Sequence, residues 1–498
     1  MAEIAVDSSS PRWALSRVLR VPRSIWSGTA GRLSSRPWSV TRVLTLLVAL
    51  AALGYFGFTA YTYTNETQRE VRELPWRFYD WRVDFAYFYS GASMAWHGEA
   101  WDLYPVEGEQ IIYPPHPIFG TTTDEYQMAR WMARGNYYNP PALAYIQAPL
   151  TSLGFRSAWL IFTGMALTAL AGYGLLAWRA GKSVPELPLL LVGVAAFKPV
   201  HEAIIMGHTT LFFVLILTAG FLLLRGKHSV LAGLTFSLLA LKPQWAVLPG
   251  LFLLARREYR AFFVMGIASS LIFFVPFFIT GFETFSRYFE FLRTAAKIDI
   301  KDAPHMFSWN GFLYKLEGYD PSDPGGDPRI IYGMIGLTAM FMFIVWWSKD
   351  YFLSAAATVI AMLLVSTHSV WYDWGLLVVA ALMLLLRPMK AGQRVELWIV
   401  LMALTVASSQ SIAELLQPDR QAIDWPGSAF YSITPIAFAS LVWIASIAAR
   451  DGLLKLPRFG RTAPALPMAA TVVPVPPSRT PSRSRRQRRK SITARPQH

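Results

Sequence analysis

The sequence predicts an all-α polytopic membrane protein, a bundle of about twelve transmembrane helices with interfacial helices in its external loops. Three observations predict it. Hydrophobic residues make up 54% of the 498 residues and charged residues 15%, with a mean hydropathy of +0.34. Apolar runs of about 20 residues, the length that crosses a bilayer core, recur along most of the chain. Lysine and arginine collect at alternate turns between those runs, and the positive-inside rule assigns such turns to the cytoplasm.

The chain has no cysteine, so disulfides and thiolate metal sites are excluded. The net charge of +15 does not indicate a nucleic-acid partner, because of where the charge lies. Arg12, Arg17, Arg20, Arg23, Arg32, Arg36 and Arg42 precede the first apolar run, and Arg479 to Arg495 crowd the other end with no acid among them. The expected division is a basic cytoplasmic segment at 1–42, a membrane domain at 43–450 and a basic, Pro- and Ser-rich tail at 451–498. Anionic lipid headgroups are the expected partner of both tails. A solvated tail that only fixes topology fits them equally well.

The first span, roughly 43–63, runs from inside to outside. It lies too far from Met1 for an ordinary signal peptide. Residues 64–153 form the first external region. A span at roughly 155–178 returns inside, to Arg179 and Lys182. Two more fit roughly into 187–206 and 208–224, ending at Arg225-Gly226-Lys227. The next pair is tight. About 28 residues separate Lys227 from Arg256-Arg257, leaving each arm about 13 residues or about 20 Å. A bilayer core is about 30 Å thick, so this hairpin should turn inside the membrane, with Leu241-Lys242-Pro243-Gln244 at its tip. A span at roughly 260–280 leads to a second external region, 281–328, which opens on an amphipathic stretch (Phe282, Phe285, Tyr288, Phe289, Leu292). Spans near 329–347, 352–367, 370–387, 395–411 and 428–448 follow, with inner flanks at Lys349, Arg387, Lys390, Arg394 and Arg450. Both termini are then cytoplasmic.

This threading brings Asp84, His208, Lys242, Asn310 and His368 to the external side. Asp84 heads a segment in which Phe85, Phe88, Tyr89, Ala92, Ala95 and Trp96 recur at helical spacing. That aromatic face suits a bilayer interface. Gly98 and Trp101-Asp102-Leu103-Tyr104 close the element. Asp84 suits a general base, and equally an N-cap; Asp80, one turn earlier, is the rival acid. Lys242, beside a proline that interrupts the helix ladder, suits a phosphate, or a lysine snorkelling to an interface. Lys198 sits in a similar Phe197-Lys198-Pro199 context, where a pair with Glu202 would also explain it. His208 follows a glycine between two spans, and His368 precedes Trp371-Tyr372-Asp373-Trp374; lone histidines are more often structural. The chain has no HExxH, no DxD, no Gly-rich phosphate loop and no serine nucleophile elbow, so neither a metal nor another cofactor is expected.

The order of these pieces resembles the GT-C glycosyltransferases of family 87, the polyprenol-phosphate-mannose-dependent mannosyltransferase-like group, over most of residues 43–450. Asp84-Phe85-Ala86-Tyr87-Phe88-Tyr89 with Gly98 and Leu103-Tyr104 looks like the family's first external loop. Asn139-Pro140-Pro141-Ala142 and Ala148-Pro149-Leu150 look like its next segment. Leu241-Lys242-Pro243-Gln244 looks like its Lys-Pro hairpin, and Ser366-Thr367-His368 with Tyr372-Asp373 like its late external-edge motif. The family often has Gly-Gln where this chain has Gly207-His208. Members near the characterised mannosyltransferases tend to have a His pair in place of Tyr372-Asp373. The resemblance implies a GT-C-type bundle and an inverting transfer of a sugar, mannose in this group, from a polyprenyl-phosphate donor to a lipid or glycan hydroxyl. It implies Asp84 as catalytic base, and it points to Lys242, His208 and His368 for the donor phosphate. Asp80, Lys198, Asn310, Tyr372 and Asp373 are further candidates. The implied location is a bacterial cytoplasmic membrane, with the site facing the periplasm or exterior. A transporter or lipid-linked-sugar flippase also fits about twelve spans with intramembrane charges. A GT-C-type glycan ligase shares the fold class.

Overall fold

Every regular element in the described residues of the computed structural model is helical. Those residues are 40–73, 84–105, 137–298, 306–317, 327–408 and 432–451. They include a single isolated antiparallel bridge, Met306–Val370. Asp80, the two basic tails and the middle of the first external region fall outside them.

The α-helices run in order as α1 (Val40–Glu73), α2 (Asp84–Trp96), α3 (Pro141–Thr151), α4 (Phe155–Ala180), α5 (Leu187–Ala195), α6 (Lys198–Ile205), α7 (Thr210–Arg225), α8 (Ser229–Ser237) and α9 (Val247–Ala255). Then come α10 (Tyr259–Thr280), α11 (Phe282–Ile298), α12 (Trp309–Glu317), α13 (Pro328–Trp347), α14 (Tyr351–Val365), α15 (Leu377–Leu385), α16 (Ala391–Ser408) and α17 (Ile433–Arg450).

Among the described residues four helices, α4, α10, α13 and α17, are long and apolar enough to cross a membrane, and the bent pair α5–α6 makes a fifth. Twelve full-length spans are not seen among the described residues. The segments Thr210–Arg225, Ser229–Leu241, Pro243–Ala255, Tyr351–Val365 and Trp371–Leu385 are apolar but shorter. Prolines account for two of the interruptions. Pro199 stands in the first turn of α6, where a missing N–H is tolerated, and the α5–α6 pair bends by 48° there. Lys242 precedes Pro243 and is extended (φ −131°, ψ 85°), which divides the hairpin into two short arms with the lysine at its tip, as its length requires.

The first helix is longer than the span expected of it. It continues through Asn65-Glu66-Thr67-Gln68-Arg69, mostly good helix formers. Its far end docks on α6, where the Thr67 hydroxyl lies 2.8 Å from Nδ1 of His201. Helix α2 also differs. Phe85, Ala86 and every residue from Phe88 to Ala95 are buried, and only Trp96 stands clearly exposed. The aromatic face is covered by protein: Phe85 packs edge-on to Phe155 and Trp159, and Gly91 lies against Tyr137.

Helices α14 and α15 are apolar on all sides and buried along nearly their whole length, so they form the centre of the bundle. Helices α10 and α13 present Phe263, Ile267, Phe278, Leu337 and Phe343 outward. The charged turns gather at one end of the bundle. Arg387 binds Asp350 at 2.5 Å and Asp451 at 2.7 Å, Arg394 pairs with Glu186, and Arg450 pairs with Glu396. Arg256 donates to the Ser348 carbonyl at 3.2 Å. His208, Lys242 and Asp373 each lie across a helix from this end: Arg225, Arg256 and Arg387 close the helices that those three residues precede.

Candidate functional site

The site begins at a turn that only glycine can make. Gly207 has φ +62°, and a Cβ there would lie 2.4 Å from the Trp159 ring and 2.6 Å from the Phe85 side chain. The missing side chain lets the α6–α7 turn approach the head of α2. Phe85 then donates its N–H to the Met206 carbonyl at 2.9 Å. Asp84 and His208, more than a hundred positions apart, become neighbours, and the Phe88 ring lies 5.7 Å from the imidazole.

The hairpin tip supplies the cation. Lys242 is 6% exposed, and its ammonium lies 2.9 Å from Nε2 of His208 and 3.3 Å from Oδ1 of Asp373. It also sits 4.5 Å above the Trp245 ring. An ammonium donating to Nε2 makes that nitrogen an acceptor and favours the tautomer with its proton on Nδ1, 2.7 Å from Thr210 Oγ1. The Thr210 N–H also points at Nδ1, at 3.3 Å. Asp373 is held at both oxygens, because its Oδ2 accepts the N–H of Val370 at 3.1 Å. The loop between α14 and α15 thus clamps the carboxylate that clamps the lysine.

Tyr372 joins this cluster to Asp84. Its ring lies 4.0 Å from the His208 ring, and its hydroxyl donates to the Asp84 carboxylate. Asp84 Oδ2 is buried with no hydrogen-bond partner among the described residues. Burial pushes the Asp84 pKa up to about 6. The Tyr372 bond and the Lys242 charge pull it down, Asp373 pushes it up, and His368 pulls it down. A carboxyl poised near neutrality, with one oxygen oriented and the other unengaged, is equipped to take a proton.

Six of the candidates therefore meet: Asp84, His208, Lys242, His368, Tyr372 and Asp373. His368 stacks on Tyr138 at 5.8 Å with a 23° interplanar angle and acts on Asp84 through space. Lys198 is outside this group and pairs with Glu202 at 3.9 Å, the plainer of its two readings. Asn310 lies on α12, one element removed. Phe307, just before α12, donates its N–H to the Ser369 carbonyl beside the Asp373 loop, which brings this element close to the site. The sequence reading missed Thr210 and Tyr138. Tyr138 had a signal, since it adjoins Asn139-Pro140-Pro141. Thr210 had none, because a threonine at a helix start is commonplace.

The family model of glycosyltransferase family 87 matches residues 137–367 of this chain. The matched stretch contains His208 and Lys242, while Asp84, His368, Tyr372 and Asp373 lie beyond its ends. Neither curated proteins nor solved structures gave a match. The match is to a family of glycosyltransferases, and the apolar helices are of the kind that cross a membrane.

Proposed function

We propose, from the family 87 match and the geometry of the site, an inverting transfer of a sugar, mannose in the first instance, from a polyprenyl-phosphate donor. The acceptor is a lipid or glycan hydroxyl on the external membrane face. The observation that carries this reading is the pairing of one unengaged carboxylate oxygen on Asp84 with a buried cation on Lys242, joined through Tyr372 and His208.

The chemistry needs little more. The acceptor oxygen attacks the anomeric carbon from the face opposite the phosphate, while Asp84 takes the hydroxyl proton as the new bond forms. The bond from the anomeric carbon to the phosphate oxygen breaks, and both its electrons leave with the phosphate. That leaving group is stable as an anion, so it needs positive charge and hydrogen-bond donors rather than an acid. Lysine has three N–H donors. Two are directed at His208 and Asp373, which leaves one for a phosphate oxygen. His368 adds a donor on the Tyr138 side, and His208 serves by orienting Lys242.

The test is direct. Purified protein is incubated with synthetic polyprenyl-phosphate mannose and a membrane lipid extract as the source of acceptor. The expected result is a mannosylated product whose anomeric configuration is opposite to the donor's. Movement of the donor across a proteoliposome bilayer without a new glycosidic bond would establish the flippase instead.

A further inference from the structure

Lys315 is a buried charge that the transfer site does not use directly. It lies on α12 and is 6% exposed. Its ammonium donates to the Met306 carbonyl at 2.9 Å and sits 3.6 Å from the centre of the Phe307 ring. No carboxylate pairs with it among the described residues. Burial lowers its pKa to about 7, with no charged group acting on it. An unpaired buried ammonium is costly, so what it holds is informative.

It holds a segment that is fastened at several points. Met306 is 1% exposed, and Gly311 makes room for its carbonyl: a Cβ there would lie 2.2 Å from that oxygen. Met306 bridges Val370, and the Phe307 N–H donates to the Ser369 carbonyl at 2.9 Å. The Thr434 hydroxyl of α17 donates to the Phe307 carbonyl. Beyond the bridge, the Val370 N–H holds Oδ2 of Asp373, whose Oδ1 holds Lys242. An unbroken series of bonds thus runs from Lys315 to the cation of the site.

We propose that Lys315 is a positioning residue: its ammonium locks Met306–Phe307 against Ser369–Val370 and so sets the Asp373 carboxylate that holds Lys242. The inference rests on the reading of Lys242 and Asp373 as part of the transfer site. Lysine is suited to the task because its nitrogen keeps N–H donors for the Met306 carbonyl in either protonation state, and when charged it also gains from the Phe307 ring.

The experiment has two arms. Hydrogen exchange, read by mass spectrometry on the detergent-purified protein, needs no substrate. Lys315→Met should speed exchange about tenfold across residues 366–376 and leave 84–96 unchanged, and Lys315→Arg should restore most of the protection. The second arm measures kcat and KM with polyprenyl-phosphate mannose. Lys315→Met should lower kcat about tenfold with KM within about twofold, and in an Asp373→Asn background it should add less than about twofold. Unchanged exchange, or a full tenfold loss in both backgrounds, would overturn the proposal. An unaltered kcat in Asp373→Asn would overturn it too, since Lys315 would then hold nothing that matters. If the unsubstituted protein transfers no mannose, the proposed function fails and the exchange arm alone decides on Lys315.

Discussion

At the residue scale, the proposed reaction divides labour in the cluster between groups that would touch the reacting atoms and groups that would hold them. Asp84 is partly exposed as a residue but keeps one oxygen buried and unengaged. Its pKa of about 6 means that activity should fall as pH drops through that value, because the base is then protonated. Tyr372 lowers that pKa by hydrogen-bonding the ionised form, so Tyr372→Phe should raise it. The acid limb of kcat/KM should then move to higher pH; a limb that stays in place or moves down would separate Tyr372 from the base. Lys242 gives a second prediction. Lys242→Ala leaves Asp373 without its ion-pair partner and the leaving phosphate without a cation. Donor use should fall by about 10²-fold or more, the scale of losing one transition-state donor. Lys242→Arg should retain part of it, since a guanidinium preserves the charge but not the geometry. Equal donor kinetics in Lys242→Ala and the unsubstituted protein would remove the lysine from the phosphate site.

At the scale of the elements, one turn does more to assemble the site than any helix. Gly207 combines positive φ with close packing on Trp159 and Phe85, while Gly98 has φ +79° and open space around its Cα. Gly98→Ala should therefore cost only the left-handed strain, about 1–2 kcal/mol. Gly207→Ala adds overpacking of about 1–3 kcal/mol and should also separate Asp84 from His208. Thermal unfolding compares the two, and a Gly207→Ala protein as stable and active as Gly98→Ala would contradict this account of the turn. The short hairpin was legible in the sequence because its length is bounded by basic residues at both feet and its tip by Pro243. The head of α2 was legible because the aromatic period begins at Asp84. The burial of that aromatic face was not. Its cover comes from Tyr137, Phe155 and Trp159, which are distant in sequence, and an aromatic stripe reads alike whether it meets lipid or protein. The extension of α1 was equally hidden, since Thr67 meets His201 of α6 only in the folded chain.

At the scale of the whole molecule, charge and chemistry separate to opposite ends of the helices. The Arg387–Asp350–Asp451 cluster marks one end, and His208, Lys242 and Asp373 begin the helices that lead to it. We propose, from the positive-inside rule, that the basic end is cytoplasmic and the site faces outward. Reporter fusions after Gly98 and after Gly326 should both show external activity, and a cytoplasmic signal at either would break the arrangement. The number of spans was the least legible property. Apolar runs interrupted by proline or ending short, such as Ser229–Leu241 and Pro243–Ala255, read as crossings by hydropathy whether or not their helices are full-length. The central claim, that this bundle aligns a donor phosphate and an acceptor hydroxyl on Asp84, comes down to one substitution. Asparagine matches the aspartate in shape and caps a helix about as well, but it cannot accept the proton. Sugar transfer by purified, folded Asp84→Asn should fall by about 10²–10⁴-fold, with Asp80→Asn close to the unsubstituted protein. Near-normal turnover in Asp84→Asn, or a collapse in Asp80→Asn alone, would contradict the account.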